Sequence, residues 1–155
     1  MQTYVHLGVG LVASQAFFSG DSFSQILAVG ASLVPDVPAA SMFVLDKLRG
    51  KQPLKEQSKV FITIQEIAHS LLVWLVSGFW WPIFIGAYSH LILDWISHSS
   101  ERFYETDPSM IWPVPCLKMR GFFEYREEQG KLYSPLEIGF TIVCVFIAVL
   151  LRWFN

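Results

Sequence analysis

The chain has 155 residues, of which 53% are hydrophobic and 15% charged, whereas about a quarter of a soluble domain is charged, so an ordinary soluble protein is excluded. An aromatic content of 15% and a mean hydropathy of +0.43 exclude intrinsic disorder, and a net charge of -2 supplies no basic field for nucleic acid. Two cysteines, Cys116 and Cys144, build neither a disulfide framework nor a Cys/His zinc knuckle, and the length suits a single domain over 1–155.

In chain order the apolar stretches predict an all-α, polytopic membrane bundle of five transmembrane helices, at about 3–19, 23–45, 60–80, 82–98 and 136–154. Ser19, Gly20, Asp21 and Ser22 form the polar turn between the first two. Residues 67–93 contain no Asp, Glu, Lys or Arg, and Trp80, Trp81 and Pro82 midway through them read as a tight turn at a membrane interface, giving a helical hairpin. The last span lies between Glu137 and Arg152 and ends on Trp153 and Phe154 as an aromatic anchor. At its start Ser134, Pro135 and Glu137 have the spacing of a capping box with proline at the first helical position. Nothing before Lys47 is basic, so the first span is read as retained and not as a signal peptide.

Five spans place the amino terminus and the loops at about 46–59 and 99–135 on one side. Those loops carry Lys47, Arg49, Lys51, Lys55, Lys59, Arg102, Lys118, Arg120, Arg126 and Lys131, and the opposite side has only Arg152. The positive-inside rule makes the large loops cytoplasmic and the carboxyl terminus external. The 46–59 basic residues serve as topology determinants facing anionic lipid. Arg102, Lys118 and Arg120 are open between a solvated loop and contact with a substrate phosphate.

Ionisable groups in hydrocarbon are costly and are usually kept for function. Here they are His6, Asp36, Glu66, His69, His90, Asp94 and His98, which include every histidine of the chain, and all fall in the cytoplasmic half of their spans. Pro35 and Pro38 interrupt the second span around Asp36. His90 and Asp94, four apart, share a helix face and can ligate one ion. His98 is a further turn on, about 12 Å from His90 along an ideal helix, which suits a second metal bridged through Asp94 or a solvated interfacial group. Glu66 and His69 form the ExxH element of bundle metal sites. With His6 and Asp36 the set offers the mixed imidazole and carboxylate ligands of zinc, iron or manganese. A lone intramembrane histidine is more often an interhelical hydrogen-bonding group, which for His6 by itself is the simpler reading. His90 with Asp94 is different, because burying both without an ion leaves costly polar groups.

The early His6, Leu-Val-Pro-Asp ending at Asp36, Ala-His-Ser-Leu-Leu around His69, Gly-Ala-Tyr-Ser-His-Leu-Ile-Leu-Asp ending at Asp94, and Trp112-Pro113 together resemble the YdjM-like family. These are LexA-regulated inner-membrane proteins assigned as metal-dependent hydrolases, distantly similar to zinc-dependent phospholipase C. The resemblance covers about residues 3–140. It implies metal ligation by His6, Asp36, His69, His90 and Asp94, and a prokaryotic inner-membrane location. The sequence departs from the family in Val37-Pro38, where a further acidic residue is common, and in Gln65-Glu66, where a basic residue precedes the His-Ser. The first departure bears on an auxiliary ligand; the second leaves Glu66 as a ligand, a base or neither.

The resulting expectation is a membrane-embedded, metal-dependent hydrolase of a phosphoester, such as a phospholipid or lipid-linked phosphate, with its site at the cytoplasmic leaflet. It would use one or two divalent ions, zinc first and manganese or iron as alternatives, with Glu66 as general base and His98 as general acid. Serine hydrolysis is set aside: Ser70 beside His69 points away from it on a helix, and no G-x-S-x-G elbow exists. Two rivals stay open. A diiron membrane oxidase would normally need more histidines than four. A non-enzymatic transporter or scaffold would use the polar groups for a path or for packing.

Overall fold

The computed structural model describes residues 3–50, 59–97, 109–111, 114–118 and 135–154. Seven α-helices run through them: α1 Thr3–Phe17, α2 Ser22–Ala31, α3 Val37–Leu48, α4 Lys59–Ala68, α5 Leu71–Leu75, α6 Trp81–Ser97 and α7 Pro135–Phe154. Single 3-10 turns, Val34–Asp36 and Val76–Phe79, follow α2 and α5. Within the loop expected at 99–135, Ser109–Ile111 (β1) and Val114–Lys118 (β2) pair antiparallel, a small hairpin that the sequence reading did not include. Helix α3 also carries the second apolar segment to Leu48, three residues into the loop expected from 46.

The all-α expectation therefore holds for the bulk of the described chain, while the five spans divide. Among the described residues two helical segments are long and apolar enough to cross a membrane: Ser22–Leu48, with a mean hydropathy of 1.5, and Glu137–Phe154, with 2.0. Helices α1, with 15 residues, and α6, with 17, are shorter than the roughly 20 that a bilayer core asks of an upright helix. The segment expected at 60–80 is broken. Ser70 is extended, with φ -87° and ψ 123°, and separates α4 from α5. The Trp74 indole donates to the Ala68 carbonyl at 2.7 Å, satisfying an acceptor that the interrupted helix leaves over.

Helices α1, α2 and α6 pack against one another, and α7 lies against α1. Two glycines set the spacing. A Cβ on Gly10 would come within 2.8 Å of Ser32 Cβ, and one on Gly86 would meet the Ala28 carbonyl group and lie 2.9 Å from Ala31 Cβ. Only hydrogen at these positions lets α2 sit so close to α1 and α6. At the other end of α2, Asp21 accepts from the Phe23 and Ser24 amides at 3.1 and 3.2 Å, a side-chain N-cap.

The interior inverts the usual order of polarity. Ser14, Ser32, His6, His69, His90, Asp94 and Glu137 are buried, beside small apolar residues such as Ala28, Ala31 and Ala87. Large apolar side chains instead face outward, among them Ile26, Phe79, Ile142, Phe146 and Trp153. Single exposed apolar residues are ordinary, but this many on the outside of a polar interior need an apolar environment to cover them.

Glu137, expected as one half of a cap, makes a tertiary bond. It is 1% exposed and its Oε2 accepts from the Tyr4 hydroxyl at 2.8 Å, tying the start of α7 to α1. Ser134, the other half of the expected capping box, lies outside the described residues.

Candidate metal centre

Four elements deliver one cluster. Helix α1 supplies His6, the 3-10 turn Val34–Asp36 supplies Asp36, the end of α4 supplies His69, and α6 supplies His90 and Asp94. Pro35 and Pro38 shape the chain around Asp36. Although Asp36 occupies the N-cap position of α3, its side chain makes no capping bond there. Its Oδ2 instead accepts from Thr3 Oγ1 at 3.1 Å, and Oδ1 turns toward the histidines. The break after α4 leaves His69 at the end of a helix whose next residue turns extended, and the imidazole is buried.

The carboxylate of Asp94 is the hub. Its Oδ1 lies 3.1 Å from His6 Nε2; its Oδ2 lies 3.0 Å from His90 Nε2 and 3.5 Å from His69 Nε2. Asp36 Oδ1 completes the group at 3.7 Å from His90 Nε2 and 4.0 Å from His69 Nε2. Two donors on one ion can be no farther apart than twice the bond length, roughly 4.2 Å for ligands at about 2.1 Å. Every one of these separations is shorter. Two triads, His6 with His90 and Asp94, and Asp36 with His69 and His90, have donor atoms within 4.8 Å of one another, so these buried His and Asp groups could hold a metal ion.

Backbone carbonyls fix two of the rings. A carbonyl only accepts, so His90 Nδ1–H donates to the Ser32 carbonyl at 2.7 Å and His69 Nδ1–H donates to the Gln65 carbonyl at 2.9 Å. In the neutral rings both Nε2 lone pairs then face the carboxylates, the arrangement that a hydrogen-bond acceptor behind the ring gives to metal-binding histidines. Ser32 is itself held, with its Oγ donating to the Val29 and His6 carbonyls at 2.8 and 3.3 Å. His6 stacks on His90 with ring centroids 3.6 Å apart. Among the described residues no hydrogen bond satisfies His6 Nδ1, His6 Nε2 or His90 Nε2, although both rings are fully buried. Burial of unsatisfied polar atoms is costly, and with neutral imidazoles the two carboxylates carry the charge complement of a divalent cation.

All five residues expected as ligands thus meet in one place. Glu66 is half-buried on α4, and no hydrogen bond or ion pair joins it to the cluster among the described residues; its neighbour Gln65 makes the contact with His69. His98 lies outside the described residues. Ser32, Gln65 and Thr3 are the supporting residues that sequence reasoning missed. Ser32 and Gln65 act through backbone carbonyls, which carry no residue signature, although Gln65 is recoverable as the residue four before His69. No protein-family model, curated protein or solved structure matches this chain.

Proposed function

We propose that this protein is an integral membrane, metal-dependent hydrolase that cleaves a phosphoester, either a phospholipid or a lipid-linked phosphate, at the cytoplasmic leaflet. The observation that carries the reading is the buried meeting of three imidazoles with the Asp94 carboxylate, two of the rings oriented from behind by backbone carbonyls. The resemblance of the Pro-Asp, His-Ser and His-x-x-x-Asp elements to the YdjM-like family supports it. The outward apolar surface, with two helices long enough to span, supports a multi-pass protein of a prokaryotic inner membrane. In that setting the five apolar segments are spans, and the basic loops and amino terminus are cytoplasmic.

Zinc suits the donor set, and manganese or iron are the alternatives. A divalent ion supplies Lewis acidity for a phosphoryl oxygen and activates water at neutral pH. The chain's own residues do the rest. Ser32 and Gln65 hold the rings of His90 and His69 with Nε2 turned inward, so the donors are organised before a ligand arrives. His6 and Asp94, buried against α1 and α6, close the inner side of the cluster to water. Asp36 is its most exposed member, at 18% of its side chain, and marks the side from which substrate approaches. Glu66, from α4, is assigned as general base and His98 as the acid that protonates the leaving group.

The test is release of phosphate or headgroup from vesicles of anionic and zwitterionic phospholipid, and from vesicles doped with a lipid-linked diphosphate. Zinc-loaded protein should turn over one of these, lose the activity to a chelator, and lose it in Asp94→Ala. A fully metal-loaded protein inert toward all of them would refute hydrolysis, and metal-dependent ion flux in the same vesicles would reassign the cluster to transport.

A further inference from the structure

Contacts across the bundle fix the direction of its helices. Tyr4 bonds Glu137, and a Cβ on Gly8 would lie 3.1 Å from Cys144 Cβ and 3.4 Å from Thr141, so α1 and α7 run the same way from a common level. Gly86 lies against Ala28 and Ala31, and His90 bonds the Ser32 carbonyl, so α2 and α6 also run together. The Ser32 hydroxyl reaches the His6 carbonyl and the Gln25 amide reaches Gln15, so α2 runs against α1. The cluster therefore lies toward one end of α1, α2 and α6, level with the start of α7. The Ser19–Ser22 turn, Trp80 with Trp81, and Arg152 with Trp153 mark the far end.

Boundary markers stand at both ends, and they are close together. On α6 the exposed Trp81 and the exposed Trp95, next to Asp94, are 14 residues apart, about 21 Å along a helix. Exposed Thr3 and Phe17 bound α1 at the same separation. From the Asp21 cap to Asp36, and from Glu137 to Arg152, the distance is 15 residues, about 22 Å. Tilt only shortens these heights. Tryptophan belts ordinarily flank a hydrocarbon core of about 30 Å. Measured from the Trp80 and Trp81 level, an undeformed bilayer would drown Trp95, Asp36 and the cluster about 9 Å below its near surface. Helix α3 does not restore the missing height. Ser22–Leu48 as one straight helix would be about 40 Å long, well beyond the core, and the 3-10 turn with Pro35 divides it at Asp36, after which α3 packs on α4.

We infer that the bundle is built for a hydrocarbon layer of about 22 Å, so that the surrounding bilayer thins to meet Trp95 and Asp36 and carries lipid headgroups to the level of the cluster. The inference rests on the membrane reading above and deepens it by naming the partner, a thinned ring of lipid around α1, α6 and α7. A short apolar span draws its bilayer inward at modest cost, and here the thinning replaces the sinking of a charged headgroup into hydrocarbon. The second span then completes its crossing at Asp36. Helix α3, with Phe43, Val44 and Leu48 exposed and Lys47 and Arg49 at its end, lies in the headgroup layer, an apolar face bordered by basic residues that suit anionic lipid.

The experiment reconstitutes the full chain in vesicles of phosphatidylcholine and phosphatidylglycerol carrying myristoleoyl, oleoyl or erucoyl chains. Flotation reports membrane association, and quenching of tryptophan by the brominated analogue of each lipid reports its relative affinity for the protein surface. The chain is expected to float with all three and to bind the short myristoleoyl lipid tightest, by about threefold or more over the long erucoyl lipid. Trp95→Leu should narrow that ratio, with Trp80 and Trp81 still reporting, and a ratio left unchanged removes the near boundary from Trp95 and overturns the inference. If Trp95→Leu does not fold, the order of the three lipids in the wild type decides alone. Oleoyl lipid bound tightest, or equal binding of all three, overturns the inference and leaves the membrane reading intact. A chain left behind by every vesicle overturns both.

Discussion

Gly86→Ala should damage the candidate metal centre from a full helical turn away. The added Cβ would lie 2.9 Å from both the Ala28 carbonyl carbon and Ala31 Cβ, and closer still to the Ala28 carbonyl oxygen. Carbon atoms settle at about 3.5–4.0 Å, so α6 and α2 must part by roughly 0.6–1 Å. His90 lies four residues beyond Gly86 on α6, and its Nδ1 bonds the Ser32 carbonyl at the end of α2 across the same gap, at 2.7 Å. The same displacement stretches that bond to about 3.3–3.7 Å, past the ~3.2 Å reach of an N–H···O bond. Overpacking typically costs about 1–3 kcal/mol, and a buried donor left without its acceptor about 1–3 kcal/mol more. With the Ser32 carbonyl no longer holding the His90 ring, metal affinity should fall by about 10–100-fold. The assays are thermal unfolding in detergent and competitive zinc titration against a chelating dye. Gly30→Ala is the control, because a Cβ there meets nothing within 4 Å and alanine favours helix by about 0.5–1 kcal/mol. If Gly86→Ala matches Gly30→Ala in both assays, the close approach of α2 and α6 does not set the position of His90.

Other expectations separate stability from metal binding. Tyr4→Phe removes the hydroxyl that donates to buried Glu137, so unfolding should come about 1–3 kcal/mol earlier. Metal content should not change, because Tyr4 and His6, two residues apart, lie on opposite faces of α1; calorimetry and metal analysis on one preparation check both. Hydrogen bonds from the Ser24 hydroxyl and from the Ser24 and Phe23 amides hold the Asp21 carboxyl below its ordinary value. The stability this cap gives to α2 is therefore complete above about pH 4, the unfolded value, and is lost as pH falls through the lower folded value. Amide exchange at the start of α2 should accelerate in that acid range in wild type and at all pH in Asp21→Ala. A reporter fused after Asn155 should be external, and a cytoplasmic signal would overturn the orientation drawn from the basic loops.

The residues of the cluster were legible because each breaks a local rule. His6, Asp36, His69, His90 and Asp94 are ionisable residues inside apolar stretches, and the four-residue spacing of His90 and Asp94 places them on one face before any tertiary contact is known. Their convergence needs packing, which is written faintly. Gly10 and Gly86 read as ordinary helix glycines until a neighbouring helix is shown to fill the space. The division of residues 60–80 into α4 and α5 was missed because Ala68, His69 and Ser70 contain no proline or glycine to mark it. A continuous apolar run has the same composition whether it is one helix or two. The spacing of Ser134 and Glu137 suggested a cap and concealed a tertiary bond, because position three of a capping box says nothing about Tyr4, 133 residues away. The glutamate of the ExxH pattern drew attention to Glu66, whereas the contact with His69 runs through the carbonyl of Gln65.

X-ray absorption at the metal edge of the purified, zinc-loaded protein tests the central claim most directly. The expected spectrum shows nitrogen and oxygen neighbours only, at about 2.0–2.1 Å, with more distant scattering from imidazole, and that signal is lost in His90→Ala and Asp94→Ala. A sulfur shell at about 2.3 Å, or a zinc signal unchanged in both variants, would contradict it.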